Sequence, residues 1–389
     1  NDIVVYVELS TWRPMIETGV MAASTYMQMG MAMSGQADEA VLNMWKWFFD
    51  ELNRFIRDVN VVVIGGSAQA RGVTFEATTI LRPDSPVAKY CGKIGRTKHD
   101  LLRGVLDENS TIVVGGEWER PPDTHSLNAR LMEVMVSTTA LKEKLGEEIL
   151  AKGLRSMTAS YDLMTGSATS ITLAPGEVSM KGSGVYFTKE PRVVIEGIRH
   201  ACELSPEFFN SFGAGSTVEF KVRDERVNDV PVSAFDISYT TVDEKTRRML
   251  EKMYGQNMAI NMASHAEGVA FTMGPRDVSL AQMRSLLEGD GPKLADNPRL
   301  IAARKTISPH PQLWILLDLP GIFTFGVDMF RSTGLPVPPI EFAGKDTPLV
   351  SFGGYLESER CRVELFVPAP AVQAIVAGFQ SLSATDEDY

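Results

Sequence analysis

Apolar and polar residues alternate along several short stretches of this chain. Val73, Phe75 and Ala77 fall on one side, and Thr74, Glu76 and Thr78 on the other. Period two is the mark of a strand with one buried face and one partly wet face, a habit of antiparallel sheets. Elsewhere the spacing changes to three and four. Val372, Ile375, Val376 and Phe379 line one face of a helix.

Strand spacing, a proline and helix spacing follow one another four times. The copies are Val73 to Ile94, Gly184 to Glu203, Gly268 to Gly289 and Arg362 to Leu382. Pro83, Pro191, Pro275 and Pro368 each end a strand, because proline cannot donate to a sheet ladder. Proline also suits the first turn of the helix that follows. Asp84 or Ser85 is placed to cap the first of these helices, and Asp277 stands early in the third.

The pattern extends upstream. Strands are expected at Ile3–Leu9, Asn60–Ile64, Thr111–Glu117, Ser160–Met164, Ala234–Tyr239, Asn257–Met262, Gln312–Leu317 and Leu349–Phe352. Helices are expected from Pro14 to Arg57, around Leu141–Met157 and at Val242–Met253. Gly65-Gly66 and Gly353-Gly354 stand at equivalent places and read as bulges or close backbone approach at a sheet bend.

Each unit therefore reads strand, helix, strand, strand, helix. The expected fold is α+β: four repeated modules, largely antiparallel sheets and helices packed on one face. The Gly/Ser-rich stretch 205–230, with Gly213 and Gly215, divides an N-terminal half, 1–210, from a C-terminal half, 211–389.

At 389 residues the chain has room for about two or three domains. Its net charge of −11 argues against nucleic acid, which needs a clustered excess of Lys and Arg, and against anionic lipid surfaces. The longest apolar stretch, Thr18 to Met33, is too short and too interrupted for a membrane span. A strand-like run at the very start, Ile3 to Val7, suggests that a leader has been removed. Three cysteines, Cys91, Cys202 and Cys361, are too few for a disulfide scaffold and read as buried thiols, although one pair could bridge in an oxidising compartment.

Candidate chemistry is sparse. Met15, Met21, Met27, Met29, Met31, Met33 and Met44 crowd one region. The first reading is core packing. The functional reading is an adaptable apolar groove formed by Met27, Met29, Met31, Met33 and Met44 with Trp47. A Cu(I) thioether site is disfavoured because no Cys or His lies in the cluster. His99, His125, His200, His265 and His310 share no zinc spacing. His200 and Cys202, two apart on a helix, point to different faces. Neither Gly65-Gly66-Ser67 nor the glycines at 213–215 complete a nucleophile elbow or a phosphate loop, and no cofactor motif is present.

In its four strand-to-helix segments and in the openings Val4-Val5-Tyr6-Val7-Glu8-Leu9 and His310-Pro311-Gln312-Leu313-Trp314-Ile315, the chain resembles uncharacterised exported bacterial proteins of the planctomycete type. That resemblance implies an extracytoplasmic (periplasmic or secreted) location, and brings no activity or catalytic residue with it. The expected function is non-catalytic binding or scaffolding, with an apolar small molecule or a protein as partner. The alternatives are a hydrolase with a site assembled between modules, and a homo-oligomeric component joined through Trp47 and the Met-rich helix.

Overall fold

The structure, a computed structural model, describes residues 2–34, 39–93, 100–107, 109–117, 146–174, 180–211, 216–241, 251–253, 257–332 and 347–385, with isolated residues between them. The strands are β1 (Asp2–Glu8), β2 (Val59–Gln69), β3 (Gly72–Leu81), β4 (Ile112–Glu117), β5 (Gly166–Leu173), β6 (Met180–Phe187) and β7 (Ser216–Val227). They continue with β8 (Val230–Thr241), β9 (Met258–His265), β10 (Gly268–Pro275), β11 (Leu313–Leu317), β12 (Val350–Glu357) and β13 (Arg360–Pro368). The helices are α1 (Leu9–Ser34), α2 (Glu39–Asp58), α3 (Pro86–Lys93), α4 (Glu147–Leu163), α5 (Pro191–Ser211), α6 (Arg276–Glu288), α7 (Pro298–Arg304), α8 (Leu319–Ser332) and α9 (Ala369–Thr385).

Among the described residues, thirteen strands join one sheet in the order β1-β2-β3-β13-β12-β11-β4-β5-β6-β10-β9-β8-β7, and every neighbouring pair is antiparallel. Tight turns make this possible. Asn228 and Asp229, with φ of 49° and 63°, form the two-residue link between β7 and β8 that matches strand twist. The α+β, antiparallel expectation holds. The expected halves interleave, because β11–β13 of the C-terminal half lie between β3 and β4 of the N-terminal half.

Helices cover both faces of the sheet, not one. Consecutive strand residues point to opposite faces. Val269 and Phe271 of β10 pack with Val194 and Ile195 of α5, whereas Ala270 between them packs with Met283 and Leu286 of α6. The one-face expectation extrapolated the wet alternation of Val73–Thr78 to every module. Val269-Ala270-Phe271 is instead a continuous apolar run, and such runs belong to strands covered on both sides.

Two local expectations also change. Ser160–Met164 is not a strand, since α4 continues to Leu163 and the Ser160 hydroxyl donates back to the Ser156 carbonyl at 2.8 Å. The glycine pairs are not bulges: β4, β11, β12 and β13 pair in unbroken register, and the irregularity near the first pair falls at Val59/Val61. By contrast the helix-start chemistry is as expected, with the Ser85 hydroxyl accepting from the Ala88 amide at 3.1 Å. The expected helix at Val242–Met253 falls largely outside the described residues.

Tyr186 stacks on Phe271 with ring centroids 4.6 Å apart. Burial first, then nearby Tyr161 and Cys202, pushes its phenol from 10.0 to about 12. Between those values the folded state holds a proton that the unfolded chain has released, so stability falls as pH rises. Alkaline unfolding followed by tyrosinate absorbance should show this loss between pH 10 and about 12, and Tyr186→Phe should shrink it.

Candidate functional site

Trp314 organises a cleft on the α6 side of the sheet. It is the second residue of β11, and its two cross-strand partners are both glycines, Gly115 on β4 and Gly353 on β12. Missing side chains on either side leave room for a large ring and for residues that cross above it. A Cβ at Gly115 would stand 2.9 Å from the Leu101 carbonyl oxygen, and one at Gly353 would stand 2.7 Å from the Tyr355 hydroxyl and 3.0 Å from Ile307. The glycines are therefore places of close approach.

The walls follow from local sequence. Asn297-Pro298 starts α7: the Asn297 side chain accepts from the Arg299 and Leu300 amides, and Pro298 takes the first helical position. This helix delivers Arg304, whose guanidinium lies 4.6 Å from the Trp314 ring centroid and forms a forked pair with Asp100 at 2.8 and 3.2 Å. The Ser308-Pro309-His310-Pro311 turn forms the opposite lip, with His310 in the left-handed region at φ 61°. Gln312 anchors that turn, its side chain pairing with both the amide and the carbonyl of Leu356.

Together these residues enclose a cleft of about 220 Å³. Trp314 is only 5% exposed, yet its indole Nε1–H has no hydrogen-bond partner. A buried donor left unpaired costs on the order of 1–3 kcal/mol. The ring that carries it lines a mostly apolar cleft.

Behind the turn, Glu364 collects donors. Its carboxylate accepts from the Ser308 amide and the Ser308 hydroxyl, both at 2.6 Å, and pairs with Arg362. Tyr355 donates to the Ser308 carbonyl at 2.6 Å, and Arg362 lies over its ring at 4.2 Å. Burial, then the Glu364 charge, raises the Tyr355 phenol above its ordinary value. The cluster fixes Ser308 in place, because its hydroxyl proton points to Glu364 and its oxygen accepts from Arg362 at 3.1 Å.

The Met-rich candidates lie elsewhere. Met27, Met29, Met31 and Met33 belong to α1, and Met44 and Trp47 to α2. Core packing does not describe α1: Met21, Tyr26, Met27 and Met29 are 58%, 76%, 37% and 55% exposed. Met31, Met44 and Trp47 are half-buried. Helix α1 lies mainly against α2 and β2.

Of the histidines, His99 and His125 lie outside the described residues. His200 Nδ1 lies 2.8 Å from the Glu196 carbonyl, one helical turn back. His265 accepts from the Glu267 amide, and burial lowers its pKa against the opposing pull of Glu267. Among the described histidines, only His310 lines the cleft. Among the described residues, no three His, Cys, Asp or Glu are grouped to hold a metal ion, and no helix is long and apolar enough to cross a membrane. Sequence reasoning noticed the glycine pairs and the Trp314 strand separately. Strand order alone brings them together. No family model, curated protein or solved structure matches this chain.

Proposed function

We propose that the protein is a non-catalytic extracytoplasmic binding protein whose recognition element is the Trp314 cleft. The single observation that carries this reading is a mostly apolar notch lined by Trp314, a buried ring whose indole N–H has no partner. An apolar cavity of about 150 Å³ is enough for benzene, and drug-sized sites begin near 300 Å³. A cleft of about 220 Å³ thus suits a single-ring molecule bearing one hydrogen-bond acceptor. The apolar-ligand expectation moves from the Met-rich helix to β11. The extracytoplasmic location rests on the resemblance to exported bacterial proteins.

The four-module reading is part of the same proposal. Strands β1–β3, β4–β6, β8–β10 and β11–β13 each form a three-stranded run, and α3, α5, α6 and α9 each follow the third strand. Third strands meet at β3·β13 and β6·β10, and first strands meet at β11·β4. The Trp314 cleft opens over that first-to-first join.

Acetophenone, a single ring with one carbonyl acceptor, is a suitable probe for calorimetric titration. Saturable binding is expected to the intact protein, and Trp314→Phe should weaken it about tenfold, the worth of one hydrogen bond. Equal affinity in the two proteins, or no binding together with no occupancy by a partner's aromatic side chain in cross-linking, overturns the reading. One observation favours a hydrolase instead: Ser308 and His310 line the same cleft, which draws on two modules. A fluorophosphonate that labels Ser308 would establish that alternative.

A further inference from the structure

Two of the three cysteines are brought together from the ends of the chain. Cys91 of α3 and Cys361 of β13 are 270 residues apart in sequence, and their Sγ atoms lie 3.6 Å from each other. Cys91 is buried in a small core with Val59, Leu81 and Ala88, whereas Cys361 beside it is half-buried. A disulfide bond is about 2.05 Å long, so closure needs an approach of about 1.5 Å. Closure therefore calls for side-chain rotation with a small shift of the eight-residue helix α3.

We infer that Cys91 and Cys361 form a modification site at which a small-molecule disulfide of the glutathione class installs an intramolecular disulfide. Cys361, the more accessible thiol, loses its proton and attacks one sulfur of the small disulfide, whose S–S bond breaks and releases one thiol. Cys91 then loses its proton and attacks the Cys361 sulfur. The mixed bond breaks and the second small thiol leaves. Two protein thiols are oxidised, one small disulfide is reduced, and both protein protons end on the released thiols.

The position gives the bond a structural consequence. Cys361 pairs with Thr79 where β13 meets β3, the seam between the first and last segments of the chain. A covalent tie there closes a very long loop in the unfolded state, the condition under which cross-links stabilise most. The reduced pair also sets the kinetics. The hydrogen bond from Cys361 lowers Cys91 below an ordinary thiol, and the same bond together with burial raises Cys361. The first attack should therefore speed up with rising pH.

The test uses the full chain incubated with oxidised glutathione, then alkylated under denaturing conditions and weighed intact. The expected result is loss of two hydrogens, one alkylatable thiol (Cys202), and a cross-linked peptide containing Cys91 and Cys361. A rise in Tm of about 5 °C, reversed by dithiothreitol, should accompany it. Three alkylatable thiols after saturating oxidation, a persistent glutathione adduct on Cys361, or a bridge through Cys202 would each overturn the inference. None of these readouts depends on the Trp314 cleft.

Discussion

Glu364→Ala should lose about 4 kcal/mol of stability, the cost of breaking a buried ion pair by removing one partner. The side chain is 9% exposed, and it is the common acceptor for the Ser308 amide, the Ser308 hydroxyl and Arg362. Removal strands three donors at once. Arg362 is itself largely covered, stacked on Tyr355, and cannot simply turn to solvent without giving up that contact. Ser308 would lose two of its three bonds to β13, keeping only the one from Arg362. Glu364→Gln keeps one acceptor oxygen and should cost about half as much. Urea unfolding of the three proteins measures the series. A loss below about 1 kcal/mol for Glu364→Ala would mean that water replaces the carboxylate at little cost.

A corollary concerns the cleft. The Ser308-Pro309-His310-Pro311 lip is anchored by Glu364, Tyr355 and Arg362 behind it and by Gln312 at its C-terminal end. In the Glu364→Gln protein the lip keeps its Gln312 anchor, so acetophenone binding should weaken less than stability does. The two variants together separate holding the fold from holding the ligand wall.

Much of the secondary structure was legible in the sequence because its signals are local. Pro191 at a first helical position, Ser85 as a cap, and the period-two run at Val73–Thr78 act on their own neighbours. Face assignment and strand order were not legible. Which helix covers Val269 and which covers Ala270 depends on the elements that pack over β10, and that is decided by segments far away in the chain. The interleaving of β11–β13 between β3 and β4 is equally invisible, since an antiparallel strand carries no label for a distant partner. The exposure of α1 misled for a related reason. Apolar composition all round predicts burial, but burial also requires covering layers, and α1, packed mainly on α2 and β2, leaves Met21, Tyr26, Met27 and Met29 exposed. Ser160–Met164 failed by the weakness of short patterns: five residues ending in Leu163-Met164 fit the last turn of a helix as well as a strand.

The paired glycines show the same limit in one substitution. Gly65 and Gly115 both begin a Gly-Gly pair at the end of a Val/Ile-rich strand run, and nothing local distinguishes them. Their surroundings do. At Gly65 the nearest atom to a new Cβ would be the Glu76 carbonyl oxygen at 4.0 Å, an ordinary contact. Gly65→Val should therefore be neutral or gain about 0.5 kcal/mol, because valine suits a strand better than glycine does. At Gly115 a Cβ would meet both the Leu101 Cβ and its carbonyl oxygen at 2.9 Å, so Gly115→Val must push the 100–107 segment off the sheet. Overpacking of this kind costs about 3 kcal/mol. Because the obstructing oxygen belongs to the backbone, Leu101→Ala should not rescue it. Leu101 and Arg304, which is paired to Asp100, also wall the cleft, so the same change should abolish acetophenone binding while Gly65→Val leaves it intact. Chemical denaturation and calorimetry on the two valine variants decide the matter. Equal stability in both would mean that the Gly115 approach is not a constraint and that the Trp314 cleft has no fixed wall.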